Sequence, residues 1–163
     1  MGSLLGLILG GSFLLGCLTF EDPDPLLVER DRLLGQAERS LAEAGRKVKD
    51  DPARPIFHLL PPGNWMNDPN GPVLFKGSYH LFHQLNPYGD RWGDMHWGHF
   101  RSDDLVHWRD EPIALWPTKS RGEEHCFSGS AVVRPDGRLM IFYTSIGNRA
   151  PGQWAAISED DEA

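Results

Sequence analysis

Trp65-Met66-Asn67-Asp68-Pro69-Asn70-Gly71 places a carboxylate between two amides and close to an indole, just before an apolar stretch begins. Pro69 fixes its own φ and pushes Asp68 toward an extended backbone, and Asn70-Gly71 is expected to turn the chain before Pro72-Val73-Leu74-Phe75 runs as a strand. Asp68 should therefore be held rigidly. A carboxylate so placed suits sugar cleavage: it attacks or stabilises an oxocarbenium-like carbon, the amides bind hydroxyls, and the ring covers the sugar's C–H face. An Asx-type turn that only orders the strand entry accounts for the same residues, and on mechanism alone the two readings stand level.

Outward from this run, the period changes to two from Pro72 onward, and short strands alternate with Gly, Pro and Asp turns. The pattern predicts strands at Val73–Lys76, Tyr79–Gln84, His96–Arg101 and Val106–Ala114, then at Ser128–Arg134, Arg138–Thr144 and Trp154–Ser158. Pro135-Asp136-Gly137 is the clearest hairpin turn. Four and then three consecutive strands suit an all-β meander, which strand pattern alone cannot assign to a propeller or a sandwich.

The seven-residue run resembles the signature of glycoside hydrolase family 32, the invertases, inulinases, levanases and other β-fructofuranosidases. Further similar segments follow in the family's order between about His58 and Ser158: Gln84-Leu85-Asn86-Pro87, Trp92, His96-Trp97-Gly98-His99 and Phe127-Ser128-Gly129-Ser130-Ala131. The resemblance implies that Asp68 is the nucleophile and that Trp65, Asn67, Gln84, Trp92, Phe127 and Ser128 bind the fructosyl unit. It also implies about one and a half to two blades of a five-bladed β-propeller. Family members run to several hundred residues, so the 163 residues here are expected to be an N-terminal part truncated at the C-terminus.

Composition bounds the remaining function classes. Lys and Arg total 16 against 23 Asp and Glu, a formal charge of −7, with no basic block or nucleic-acid motif. Nucleic acid is not an expected partner. Cys17 and Cys126 lie far apart in segments of different character, so they suggest neither a disulfide framework nor a zinc cluster, and Cys126 is read as a buried thiol.

Residues 1–20 form an apolar, Gly-rich leader whose Leu14-Leu15-Gly16-Cys17 ending resembles a bacterial lipobox, with Cys17 as a possible lipidation site. No Lys or Arg precedes the apolar stretch, unlike an ordinary export signal, and a short membrane anchor is the competing reading. Either one puts the rest of the chain outside the cytoplasm: secreted, periplasmic or tethered. Residues 21–52 hold an acidic joint and one amphipathic helix, about Leu26 to Lys49, with Leu27, Leu34, Leu41 and Val48 seven residues apart. Asp50-Asp51-Pro52 ends it. Gly35 and Gly45 favour a helix packed on the domain, or a spacer, over a coiled coil. Residues 53–163 are the expected partial propeller domain.

Several tempting motifs carry no chemistry. His80 and His83, like His96 and His99, stand at i and i+3, which on a strand sends them to opposite faces, so no metal is implied and no cofactor either. Ser128-Gly129-Ser130 lacks the Gly-x-Ser-x-Gly elbow of a serine hydrolase. Trp97 and Trp108 read as packing. Arg109-Asp110-Glu111-Pro112 and Glu123-Glu124-His125-Cys126 superficially match the family's Arg-Asp-Pro and Glu-Cys segments but come too early in the order, so neither is expected to supply the stabilising Asp or the acid. The leading reading is a retaining β-fructofuranosidase acting on sucrose or a fructan. A non-catalytic sugar-binding remnant of the same fold and a membrane-tethered structural domain are the alternatives.

Overall fold

The computed structural model describes residues 24–158, so the leader and Cys17 lie outside the described residues. The chain enters through helix α1 (Pro25–Val48), within one residue of the expected span. Asp24 caps it by accepting a hydrogen bond from Leu26 N at 2.8 Å, Pro25 takes the first turn, and Arg46 and Lys47 stand in the last turn, where they complement the exposed carbonyls. Ala37, Leu41 and Leu34 pack against Leu85 and Ile113 of the sheet described next, so the helix is docked on the domain. Among the described residues no helix is long and apolar enough to cross a membrane.

Seven strands follow: β1 (Trp65–Phe75), β2 (Ser78–Asn86), β3 (His96–Ser102), β4 (Trp108–Leu115), β5 (Glu123–Val133), β6 (Leu139–Gly147) and β7 (Gly152–Ile157). They form two antiparallel meanders, β1-β2-β3-β4 and β5-β6-β7. The expected grouping into four and then three strands is therefore observed. The strands' polar and apolar alternation buries Phe75, Phe82, Trp97 and Leu115 from one sheet against Cys126, Ala131, Leu139, Ile141 and Tyr143 from the other. Each large side chain so buried contributes about 1.5–3 kcal/mol.

Two strand boundaries differ from expectation in ways that bear on the site. Asn70-Gly71 is not a turn before a strand, because β1 already begins at Trp65 and runs through the motif. Edge position and bulges explain how a strand accommodates Pro69 and Pro72. β1 is an edge strand of its sheet, and its register slips between Met66 and Pro69 and again between Asn70 and Val73. The residues that signal a turn in sequence supply a bulge instead, with Gly71 at φ +47°. Likewise β5 begins at Glu123 rather than Ser128, which brings Glu123-Glu124-His125-Cys126 into the sheet.

A third irregularity ties the helix to the sheet. Between Trp97 and His99 the β3–β4 register slips at Pro112, and the freed Ile113 N–H donates to Glu38 Oε1 of α1 at 3.0 Å. Close approach also fixes the segment after the helix. A Cβ on Gly63 would lie 2.7 Å from Ala44 Cβ, so only glycine lets 53–64 fold back along α1.

Candidate active site

Asn67 and Asp68 occupy the first bulge of β1: Met66 pairs with Leu85 and Pro69 with His83, so two residues face the single Gln84. Ser128 occupies a bulge in β5, between Phe127, paired with Thr144, and Gly129, paired with Tyr143. A bulge re-aims a side chain that would otherwise alternate in or out of the sheet. The two re-aimed side chains meet. Ser128 Oγ donates to Asp68 Oδ2 at 2.6 Å, linking two sheets through residues sixty positions apart. The distance is that of a short O–H···O hydrogen bond.

The strands that carry these groups are held together from below. Asn70, nearly fully buried, accepts Gly129 N–H on its Oδ1 at 3.3 Å. Gly71 lies against Ala131, where a Cβ would come within 2.8 Å of the alanine methyl. Asn70 and Gly71 thus act as the close-packing seam between β1 and β5. Asp68 itself remains exposed, as a carboxylate that must meet a substrate has to be.

An aromatic wall stands beside the carboxylate. Trp92 rises from the loop between β2 and β3, which Asn86 shapes by accepting Tyr88 N–H and donating to Arg91 O. Its ring meets Phe127 edge-on, at 6.2 Å and 83°, and lies 5.1 Å from the ring of His125. Trp92 is 59% exposed, so the wall has an open face. Phe127 is positioned by its backbone: Trp97 Nε1, fully buried, donates to Phe127 O at 3.1 Å. Gln84 Nε2 donates to the neighbouring Cys126 O at 2.9 Å, and Cys126 N donates to Met95 O.

The structure therefore brings Asp68, Ser128, Phe127 and Trp92 to one place, with buried Gln84 behind them. Trp65 is half-buried at the start of β1, its backbone N–H donating to Gly89 O, and Asn67 is exposed beside Asp68. The Cys126 thiol is buried, and burial, then the nearby Glu123, pushes it well above the ordinary thiol range. It is no nucleophile. Asp110 stands on β4, the far edge strand from β1. Among the described residues no three His, Cys, Asp or Glu side chains gather as a metal site. An apolar groove of about 280 Å3 is lined by residues of both sheets, among them Phe82, His99, Leu139 and Ile141, and Asp68 is not part of it.

Sequence reasoning missed His125, set aside with its motif, and misplaced Asn70: expected either to bind sugar hydroxyls or to make a turn, the amide is buried and holds Gly129 N–H instead. Alternation of rings at 125 and 127 was the available signal for the first, hidden because the strand was expected to start at Ser128.

Comparison with known proteins identifies the family. A family model described as the glycosyl hydrolases family 32 N-terminal domain matches residues 58–163. A sucrose-6-phosphate hydrolase of Escherichia coli is 53% identical over 90 residues, which are 55% of this chain and 19% of that protein. A β-fructofuranosidase of Bombyx mori, solved also as a variant in complex with sucrose, superposes on 80% of this chain and 28% of its own. That match has a TM-score of 0.70 at 38% identity. A fructan 1-exohydrolase of Cichorium intybus, solved as a variant with 1-kestose, matches 66% of this chain and 20% of its own with a TM-score of 0.58 at 42% identity. The chain thus spans about a fifth of the length of the curated relatives it matches. With the family model covering most of the chain and the signature run seated at the junction of the two sheets, the chain belongs to glycosyl hydrolases family 32.

Proposed function

We propose that this chain carries the nucleophile half of a retaining β-fructofuranosidase acting on a terminal β-fructofuranoside such as sucrose or a fructan. The observation that carries the reading is the pairing of exposed Asp68 with Ser128 Oγ beside the open face of Trp92 and Phe127. Relatives solved with sucrose and with 1-kestose support the substrate class. The two meanders support successive blades of a five-bladed propeller, with β1 and β5 bringing their site residues together.

In this mechanism Asp68 attacks the anomeric carbon while a carboxylic acid protonates the leaving oxygen. Water then releases fructose from the covalent intermediate as the acid serves as base, with the two carboxyls about 5–5.5 Å apart. That acid is not assigned among the described residues. Ser128 Oγ–H holds Asp68 in one orientation, so the carboxylate meets the substrate already aimed. Asn67, Gln84 and Trp65 complete the fructosyl contacts. The leader at 1–20 leads us to place the protein outside the cytoplasm, exported or tethered through Cys17.

The test is trapping. The complete enzyme, incubated with a fructoside analogue that carries a good leaving group on the anomeric C2 and a fluorine on the adjacent C3, or with substrate under rapid quench, should yield a fructosylated peptide spanning Trp65–Phe75 with the sugar on Asp68. Labelling of a different carboxylate contradicts the assignment. Binding without any turnover returns the protein to a sugar-binding role.

A further inference from the structure

The ring of His125 has no part in the reading above, yet it packs on both aromatic members of the wall, 5.1 Å from Trp92 and 5.9 Å from Phe127. Its Nδ1 accepts the backbone N–H of Met95 at 3.3 Å. A neutral imidazole whose Nδ1 lone pair is engaged carries its proton on Nε2, so this side chain presents one fixed donor. The same backbone contact, with Cys126 N donating back to Met95 O, locks the ring's place on the strand.

Position then selects what the donor meets. His125 is half-buried on β5 and lies on the same face as Phe127. From Ser128, which holds the attacking carboxylate, to His125 is three residues of strand, roughly 10 Å. One furanose ring with a contact at each end fills that length. An anomeric carbon at Asp68 leaves the 6-hydroxyl, the hydroxyl farthest from it, at the His125 end of the wall.

We infer that His125 is a specificity-determining residue whose Nε2–H donates to the 6-hydroxyl of the fructosyl unit. The inference rests on the proposed function and deepens it. It makes the wall a gauge of sugar length: rings of Trp92 and Phe127 on the C–H surface, one polar donor at the far end. A fructosyl unit substituted at that hydroxyl would lose the contact and crowd the imidazole.

The test compares methyl β-fructofuranoside with its 6-deoxy analogue on the complete enzyme, for wild type, His125→Phe and His125→Gln. Phenylalanine keeps a ring against Trp92 and removes the donor; glutamine keeps a donor at similar reach. Wild type should prefer the hydroxylated substrate by about tenfold in kcat/KM, the worth of one well-placed hydrogen bond. His125→Phe should narrow that preference to about twofold or less, and His125→Gln should retain most of it. An equal preference in wild type and His125→Phe overturns the inference, as does equal loss on both substrates in both variants, which marks a packing role. Wild type that turns over neither substrate overturns the proposed function together with this inference, whereas an active wild type with an unchanged ratio overturns this inference alone.

Discussion

Ser128 Oγ and Asp68 Oδ2 stand 2.6 Å apart, each projecting from a bulge in its own sheet. Because neither strand's regular alternation determines where these groups point, the hydrogen bond depends on both irregularities and on the seam that joins the strands. Aim and packing are therefore coupled here.

Asp68→Asn removes the charge and little else. In the complete enzyme it should lower kcat on sucrose by at least about a thousandfold, some 4 kcal/mol of barrier, with the melting temperature almost unchanged. Steady-state kinetics and thermal denaturation read both arms. A loss of only tenfold or less removes Asp68 from the role of nucleophile.

Ser128→Ala should be milder. A hydrogen bond to a charged group contributes about 1.5–3 kcal/mol, and the low end applies at an exposed site, so kcat/KM should fall about tenfold. Ser128→Thr, which keeps the hydroxyl, should recover part of the loss. If alanine is silent, the contact does not aim the carboxylate.

Gly71 and Gly77 separate backbone strain from close approach. Both have positive φ, +47° and +81°, but a Cβ on Gly71 meets Ala131 at 2.8 Å whereas one on Gly77 meets nothing within 4 Å. Gly77→Ala should cost only the left-handed backbone, about 1–2 kcal/mol, and leave activity intact. Gly71→Ala adds overpacking of a further 1–3 kcal/mol or so and should reduce kcat, because it pushes apart the strands that carry Asp68 and Ser128. Equal urea midpoints for the two variants would show that the β1–β5 seam is not tight.

The same residues explain how far the fold was legible in sequence. Period-two alternation located the seven strands, and the seven-residue spacing of Leu27, Leu34, Leu41 and Val48 located α1, because each element buries one apolar face. Boundaries failed where the strand is irregular. Pro69, Asn70, Gly71 and Pro72 look like a turn, and only an edge strand with two bulges lets them run on. Glu123-Glu124-His125 looked like loop because its polarity masks a strand whose Glu123 is fully buried. Asp68 was legible through its neighbours in sequence, whereas its bond to Ser128 was not, since sixty residues and a second sheet intervene. Gly98 is a similar case: the ring of His83 lies where its Cβ would be, and no local pattern announces that socket.

Gln84→Ala and Trp92→Ala should impair hydrolysis of sucrose and of inulin alike. Trp92 forms the exposed wall against which the shared fructosyl unit would rest, and Gln84 fixes the backbone beside Phe127 through Cys126 O. Losses in kcat/KM of about tenfold or more on both substrates are expected. Impairment confined to one substrate places the residue against the leaving group instead.

Acid should destabilise the fold through its buried histidines. His83 is 1% exposed, stacked on Phe100 at 4.5 Å, with both ring nitrogens lacking a hydrogen-bond partner. Burial pushes it down to about 4 from 6.5, and burial holds His96 down to about 4 as well. A histidine whose folded value lies below its unfolded one binds protons more readily when unfolded. Its contribution is therefore complete above pH 6.5 and is lost as pH falls toward 4. At pH 5 the loss from His83 alone is about 2 kcal/mol. Asp110 works the other way. Partial desolvation, then Glu38 and Glu111, push it up to about 6, so its protonation relieves strain over the same range, but its exposure to solvent weakens the effect. Urea unfolding followed by tryptophan fluorescence should show stability falling from pH 7 to pH 5, and His83→Leu should flatten that slope whatever its own stability at neutral pH. A wild-type profile that is level or rising toward pH 5 would mean that water reaches His83 or that its ring is already paired.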